Sequence, residues 1–312
     1  MLIGNTRWNI HQSGCRFATP LLEIKLGSGP TVFCKPEFMQ PSGTAKDRVS
    51  NVKLEKALTE GLISPNGTVV IGTSGTAGIS MAAASHSLGL KSIVVVPATV
   101  SSIVPAQVER YQGTVVLVDG TMANVIETAE SYAHKPDTLL IRQFEDAAVY
   151  EAYRGSLAIE LAEQAPGAIE YFVSCVGTGG MVIGTHLGLL DQRQSPMVYL
   201  ALPTPQLRLS EPPVFDVAIP GVAQNLSKLI PPWMEKHRDK IQVIWVSRDS
   251  IIDTTLALQG LGYPIGPTSG LNFAAARAIA ELHPKAIVAT ILPDRIYENH
   301  PLLRQLSRKK PA

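Results

Sequence analysis

Short apolar runs rich in β-branched residues alternate with helical patterns along almost the whole chain, and this alternation limits the fold more than any other feature. The candidate strands are 31–34, 68–71, 92–96, 115–118, 138–141, 171–175, 198–202, 241–246 and 286–292. The candidate helices are 46–60, 77–88, 106–112, 122–134, 147–164, 180–190, 249–259 and 269–283. Most of the strands are continuously apolar, which suits strands covered on both faces. Strand–helix alternation of this kind implies parallel sheets under covering helices. At 312 residues the length suits about two domains, one sheet in each. The stretch 203–225 is Pro-rich and aperiodic and reads as a long loop, a place where function often sits.

The totals exclude several classes. Lys and Arg number 27 against 26 acidic residues, and no basic face stands out, so nucleic acid is not an expected partner. Arg308, Lys309 and Lys310 read as a solvated tail. No apolar run is long enough for a membrane span, and residues 1–12 lack a signal-peptide core. Cys15, Cys34 and Cys175 are odd in number and far apart, which fits a reducing cytoplasm better than a disulfide framework. The histidines are scattered without metal-site spacing, so no metal is expected, and His86 and His186 read as packing or surface residues.

The chemistry gathers at four places. The first is Pro41-Ser42-Gly43-Thr44-Ala45-Lys46-Asp47-Arg48. A turn forms around Pro41 and Gly43, Thr44 reads as a helix N-cap, and Lys46 falls in the first helical turn. The helix field opposes a cation there and lowers its pKa, which suits an amine that attacks a carbonyl. The second is Gly72-Thr73-Ser74-Gly75-Thr76-Ala77-Gly78, where hydroxyls and backbone N–H groups at a helix start offer an anion site suited to a carboxylate. The third is Cys175-Val176-Gly177-Thr178-Gly179-Gly180, a turn whose glycines let backbone wrap a single phosphate. It is neither a Walker loop nor a good dinucleotide fingerprint. The fourth is Gly266-Pro267-Thr268-Ser269-Gly270, where one of the hydroxyls reads as a cap for the last long helix. Each motif alone is also an ordinary packing device. Together they outline an aldehyde cofactor bearing one phosphate.

In this order and spacing the motifs resemble the fold-type II pyridoxal-phosphate (PLP) enzymes, the cysteine synthase and cystathionine β-synthase family, over nearly the whole length. Residues 41–48 match the family's lysine motif, 73–78 its Thr-Ser-Gly-Asn-Thr-Gly loop, 177–181 its Gly-Thr-Gly-Gly-Thr turn, 268–270 its Ser-Ser-Gly, and Gln143-Phe144 its Gln-Phe pair. The resemblance implies an α/β fold of two three-layer αβα domains with mainly parallel sheets, tryptophan synthase β-like. A larger phosphate-binding domain would comprise 1–36 and 148–312, and a smaller mobile domain that holds the substrate carboxylate would comprise 37–147. It implies pyridoxal 5'-phosphate in Schiff-base linkage to the catalytic Lys46. Gly177, Thr178, Gly179 and Gly180 would hold the phosphate, and Thr76 would stand at the cofactor's 3′-oxygen. Thr268 would face the pyridine nitrogen, with Ser269 as second choice. Thr73, Ser74, Thr76, Ala77 and Gln143 would hold the substrate carboxylate.

A neutral hydroxyl at the ring nitrogen leaves the ring a weaker electron sink, which favours loss of a β-substituent over transamination. The implied activity is therefore β-replacement on serine or an O-activated serine through an aminoacrylate. Serine/threonine dehydratase-type elimination and a non-catalytic PLP-binding relative are the alternatives. A small amino-acid substrate and a homodimer are implied as partners. Three positions depart from the family: Thr76 for Asn, Ala77 for Thr and Met181 for Thr. The last removes a phosphate hydroxyl worth about 1.5–3 kcal/mol. The departures point to a specialised nucleophile, for example an amine that gives a diaminopropionate precursor, and Asp294-Arg295 resembles that branch.

Overall fold

The computed structural model describes residues 18–206, 214–215 and 227–295. In chain order they form β1 (Leu22–Ile24), β2 (Val32–Lys35), α1 (Asp47–Thr59), β3 (Thr68–Gly72), α2 (Thr76–Ser87), β4 (Lys91–Pro97), α3 (Ile103–Arg110), β5 (Thr114–Val118), α4 (Met122–Ser131), β6 (Thr138–Ile141), α5 (Ala148–Arg154), α6 (Leu157–Gln164), β7 (Tyr171–Cys175), α7 (Gly180–Asp191), β8 (Met197–Pro203), β9 (Pro205–Gln206), β10 (Val214–Phe215), α8 (Ile230–Lys236), β11 (Ile241–Val246), α9 (Arg248–Gly260), α10 (Pro267–Leu282) and β12 (Val288–Ile291).

Two compact units result. One comprises the chain up to Ala45 with Phe144–Asp294, the other Lys46–Gln143 with Arg295. Against the expected span 37–147, the smaller unit begins nine residues later and ends four residues earlier, and it takes Arg295 from the span expected for the larger domain. The turn before Lys46 explains the later start. Ala45 donates its N–H to the Pro293 carbonyl at 2.8 Å, and the Tyr153 hydroxyl donates to the Ala45 carbonyl at 3.1 Å.

The larger unit is built on a six-stranded sheet in the order β1-β2-β12-β7-β8-β11. All its pairings are parallel except β1 with β2. Val173, Cys175 and Ala201 turn toward Ile251, Leu258, Leu271 and Phe273 of α9 and α10. Helix α7 packs on α5 and α6 and against β7. The strand sequence reverses at the β7/β12 pair: β8 and β11 continue on one side of β7, and β12 returns on the other. Open parallel sheets bind ligands outside the carboxyl ends of their strands at such a reversal. The smaller unit holds a parallel four-stranded sheet in the order β5-β4-β3-β6. On one face Val69, Ile71, Val94 and Val96 meet α1, α2 and α3. On the other, Val70 and Val95 meet Val125 and Ala129 of α4.

Continuous apolar runs become fully buried strands only inside a sheet. At the edges Leu117 of β5 stays 58% exposed and Trp245 of β11 52% exposed, because edge strands lack a neighbour. The expected helix over 147–164 is two helices, broken at Gly155 and Ser156, where Ser156 leaves helical geometry. Near the start of the described chain a buried ion pair is clamped by further polar groups. Lys35 Nζ donates to Glu160 at 2.8 Å and to Gln164 at 3.1 Å, and the Thr19 hydroxyl donates to Glu37 at 2.7 Å. Removing one partner of such a pair leaves a buried charge and costs about 3–5 kcal/mol.

Candidate active site

Lys46 enters on a braced turn. Gly43 donates its N–H to the Gln40 carbonyl at 2.8 Å, and Thr44 bridges to Asp294 through its backbone and through its hydroxyl on the carboxylate. Thr44 is therefore not the helix cap that its sequence position suggests. Lys46 itself is the N-cap residue of α1, just ahead of the first turn, and its carbonyl accepts from Val49 at 3.0 Å and Ser50 at 2.9 Å. The residue is half-buried, and its N-cap position lies at the positive end of the helix field.

The 73–78 loop lies at the carboxyl end of β3, as expected, and α2 starts at Thr76. Thr73 is buried, its N–H donates to Val95 at 2.9 Å, and its hydroxyl accepts from the Gly75 N–H at 3.3 Å. Ser74 and Thr76 are half-buried and Ala77 is buried. Gln143 joins this loop, because its Nε2 donates to the Gly72 carbonyl at 2.9 Å. Thr73, Ser74, Thr76, Ala77 and Gln143 thus gather at one end of β3.

The 177–180 turn lies at the carboxyl end of β7, and α7 begins at Gly180. Thr178, Gly179 and Gly180 are buried. The first N–H groups of a helix lack intrahelical partners, so a turn opening a helix of this length favours an anion. Gly179 has φ +84°, and a Cβ there would meet Ile230 Cγ1 at 2.6 Å. Met181, where the family has Thr, is half-buried. A residue that sequence reasoning missed fixes this turn from outside: the Ser227 hydroxyl donates to the Thr178 carbonyl at 2.6 Å. No motif signals it. Helix α8 packs beside it, and its Trp233 Nε1–H donates to His186 Nδ1 of α7 at 3.1 Å. His186 is wholly buried, and burial first, then His237 and Lys240, push its pKa down to about 4.

At α10 the capping expectation fails. Gly266 is the N-cap residue, Pro267 follows at the first helical position, and no side chain caps the helix. Thr268 and Ser269 therefore sit inside the first turn with hydroxyls not used as caps. Thr268 is half-buried, whereas Ser269 is fully buried and its Oγ has no hydrogen-bond partner. One turn on, Asn272 Oδ1 accepts from the Cys175 N–H at 2.7 Å and its Nδ2 donates to the Ile291 carbonyl at 2.9 Å. The phosphate-type turn and the hydroxyl turn of α10 are thereby tied to the same two strands, β7 and β12. Among the described residues no group of three or more His, Cys, Asp or Glu could hold a metal ion, and no helix is long and apolar enough to cross a membrane.

A parallel-sheet enzyme frame, with a phosphate-type turn at a strand-order reversal and a braced lysine at a helix start, defines the class. Comparison with known proteins makes it specific: the family model "pyridoxal-phosphate dependent enzyme" matches residues 13–294. The chain belongs to the pyridoxal-phosphate dependent enzymes, in their fold-type II, cysteine synthase-like group, and its cofactor is PLP. It is 29% identical to cysteine synthase B of Campylobacter jejuni over 88% of this chain and 92% of that one. It is 26% identical to the O-acetylserine dependent cystathionine beta-synthase of Bacillus subtilis over 88% of this chain and 91% of that one. Among solved structures it is similar to O-ureido-L-serine synthase, at 26% identity and TM-score 0.82 over 95% of this chain and 96% of that one.

Proposed function

We propose that this protein catalyses PLP-dependent β-replacement on serine or an O-activated serine. The observation that carries the reading is the Ser269 hydroxyl, fully buried and without a partner in the first turn of α10. A buried, unsatisfied polar atom is costly, and a ligand acceptor such as a pyridine nitrogen removes that cost. Its burial supports Ser269 over Thr268 as the ring's partner. A neutral hydroxyl donates to that nitrogen without protonating it. Bound there, PLP supplies the electron sink that lets a β-substituent leave an amino acid.

The remaining roles fall to residues of matching chemistry. Gly177, Thr178, Gly179 and Gly180 hold the phosphate with backbone N–H groups and one hydroxyl. Lys46 Nζ would hold the cofactor by its aldehyde group and would serve as the base for the proton at the substrate's Cα. Thr73, Ser74, Thr76, the Ala77 backbone and Gln143 grip the substrate carboxylate, and Thr76 is the residue nearest in kind to a partner for the 3′-oxygen. Gln143 keeps its second amide hydrogen for that purpose, since the first bond goes to Gly72. The names of the relatives support an O-activated serine as the amino acid substrate. Sulfide is the first nucleophile to test. An amine is the second, because Thr76 and Ala77 make the cradle less polar than the family's Asn and Thr.

Purified protein with PLP should absorb in the visible, and Lys46→Ala should lose that band. O-acetylserine alone should release at most one acetate per site, and sulfide, then amines, should be tried for the nucleophile that makes acetate release continuous. Keto acid and ammonia formed without any nucleophile would point to the dehydratase reaction.

A further inference from the structure

We infer that Asn272 is a positioning residue for the cofactor: its amide, set between the carboxyl ends of β7 and β12, fixes the 177–180 turn relative to the first turn of α10. The inference deepens the function proposed above and rests on it. The ladder between β12 and β7 runs through Val288↔Tyr171, Ala289↔Phe172 and Thr290↔Val173. The Thr290 hydroxyl reinforces its last rung by donating to the Val173 carbonyl at 2.7 Å. Beyond that rung a side chain takes over the bridging. The Cys175 N–H donates to Asn272 Oδ1 at 2.7 Å, and Asn272 Nδ2 donates to the Ile291 carbonyl at 2.9 Å. A side-chain amide has the donor and acceptor of a peptide group, so it serves as an inserted rung that holds the strand ends at a set spacing.

Its location gives the bridge a consequence beyond packing. Cys175 closes β7 just before the 177–180 turn, so the bond to its N–H anchors the base of that turn. Ser269 and Asn272 lie one turn apart on the same face of α10, so the same amide sets where the Ser269 hydroxyl stands. The strand pair it spans is the one where the strand order reverses. Asn272 is fully buried and gives up burial of apolar surface for these two bonds.

The test titrates PLP into wild type, Asn272→Ala and Asn272→Asp well below each protein's melting temperature, following affinity and the position of the visible band. Asn272→Ala is expected to bind PLP about tenfold or more weaker, with a shifted band. Burial raises a carboxyl's pKa, and only the protonated acid can both accept from Cys175 and donate to Ile291. Asn272→Asp should therefore approach wild-type affinity at mildly acidic pH and lose it, relative to wild type, as pH rises. It carries the test alone if the alanine variant does not fold. Variants that melt lower yet keep wild-type affinity and band at every pH would overturn the inference and leave Asn272 a packing residue. Flat titrations in all three proteins, wild type included, would instead overturn the cofactor-site reading beneath it.

Discussion

Two glycine-rich turns, at 73–78 and 177–180, share one sequence pattern and differ in construction. Gly179 is held at φ +84°, and a Cβ there would run into Ile230 at 2.6 Å and Ile183 at 3.0 Å. Its neighbour Thr178 is pinned by Ser227. Gly75 occupies the matching N-cap position before α2, yet its φ of −176° is ordinary extended backbone and a Cβ there meets nothing within 4 Å. One turn is a backbone cradle closed by surrounding side chains. The other offers hydroxyls from Thr73, Ser74 and Thr76, with open space at Gly75 and close packing only at Gly78, inside α2, where a Cβ would meet Val94 at 2.4 Å. The first construction suits a group that stays bound, the second a group that comes and goes.

The sharpest way to break this comparison is Gly179→Ala. Left-handed geometry costs a non-glycine residue about 1–2 kcal/mol, and the Ile230 contact adds to it. PLP affinity should fall by about a hundredfold in an equilibrium titration. If affinity is unchanged, the turn does not hold the phosphate. Ser269→Ala comes next, and its two effects have opposite signs. Deleting an unsatisfied buried hydroxyl should raise the melting temperature of ligand-free protein, by the equivalent of about 1 kcal/mol. PLP affinity should fall by about tenfold at the same time. Calorimetry and titration on one preparation read both.

Acid should loosen the 177–180 side through His186. Its folded pKa of about 4 lies below the unfolded value near 6.5, so the unfolded chain takes up the proton first. Stability from this group is complete above about pH 6.5 and is lost as pH falls toward 4. Melting temperature followed over that range should drop in wild type and drop less in His186→Leu. His237 and Lys240 add positive charge around the same ring. The smallest effect is expected for Gly75→Ala, with PLP affinity and melting temperature within error of wild type. A large loss there would erase the contrast between the turns.

Much of the frame was legible because buried parallel strands are continuous apolar runs. The strands at 138–141, 171–175 and 241–246 have the bounds read from sequence. Strand β1 was missed because Leu22-Glu23-Ile24 is short and carries a charge, and pairing with β2 rather than propensity makes it a strand. Helix α8 has no counterpart among the expected helices, because Pro231 and Pro232 break a helical pattern in sequence, although proline is tolerated in the first helical turn, where they sit. Of the loop expected at 203–225, Pro203 ends β8, β9 and β10 are seen, and 207–213 and 216–225 lie outside the described residues, as do Cys15 and the basic tail. The motif residues were legible because glycine, lysine and hydroxyl patterns stand out in one dimension. Ser227, Asn272 and the buried Lys35–Glu160 pair were not, since each acts through partners remote in sequence.

The central proposal is Lys46 as the covalent anchor of the cofactor. Borohydride reduction of PLP-saturated protein, followed by peptide mapping, tests it directly. The expected result is a pyridoxyl group on the peptide carrying Lys46. An unmodified Lys46 in protein that has bound PLP would contradict it.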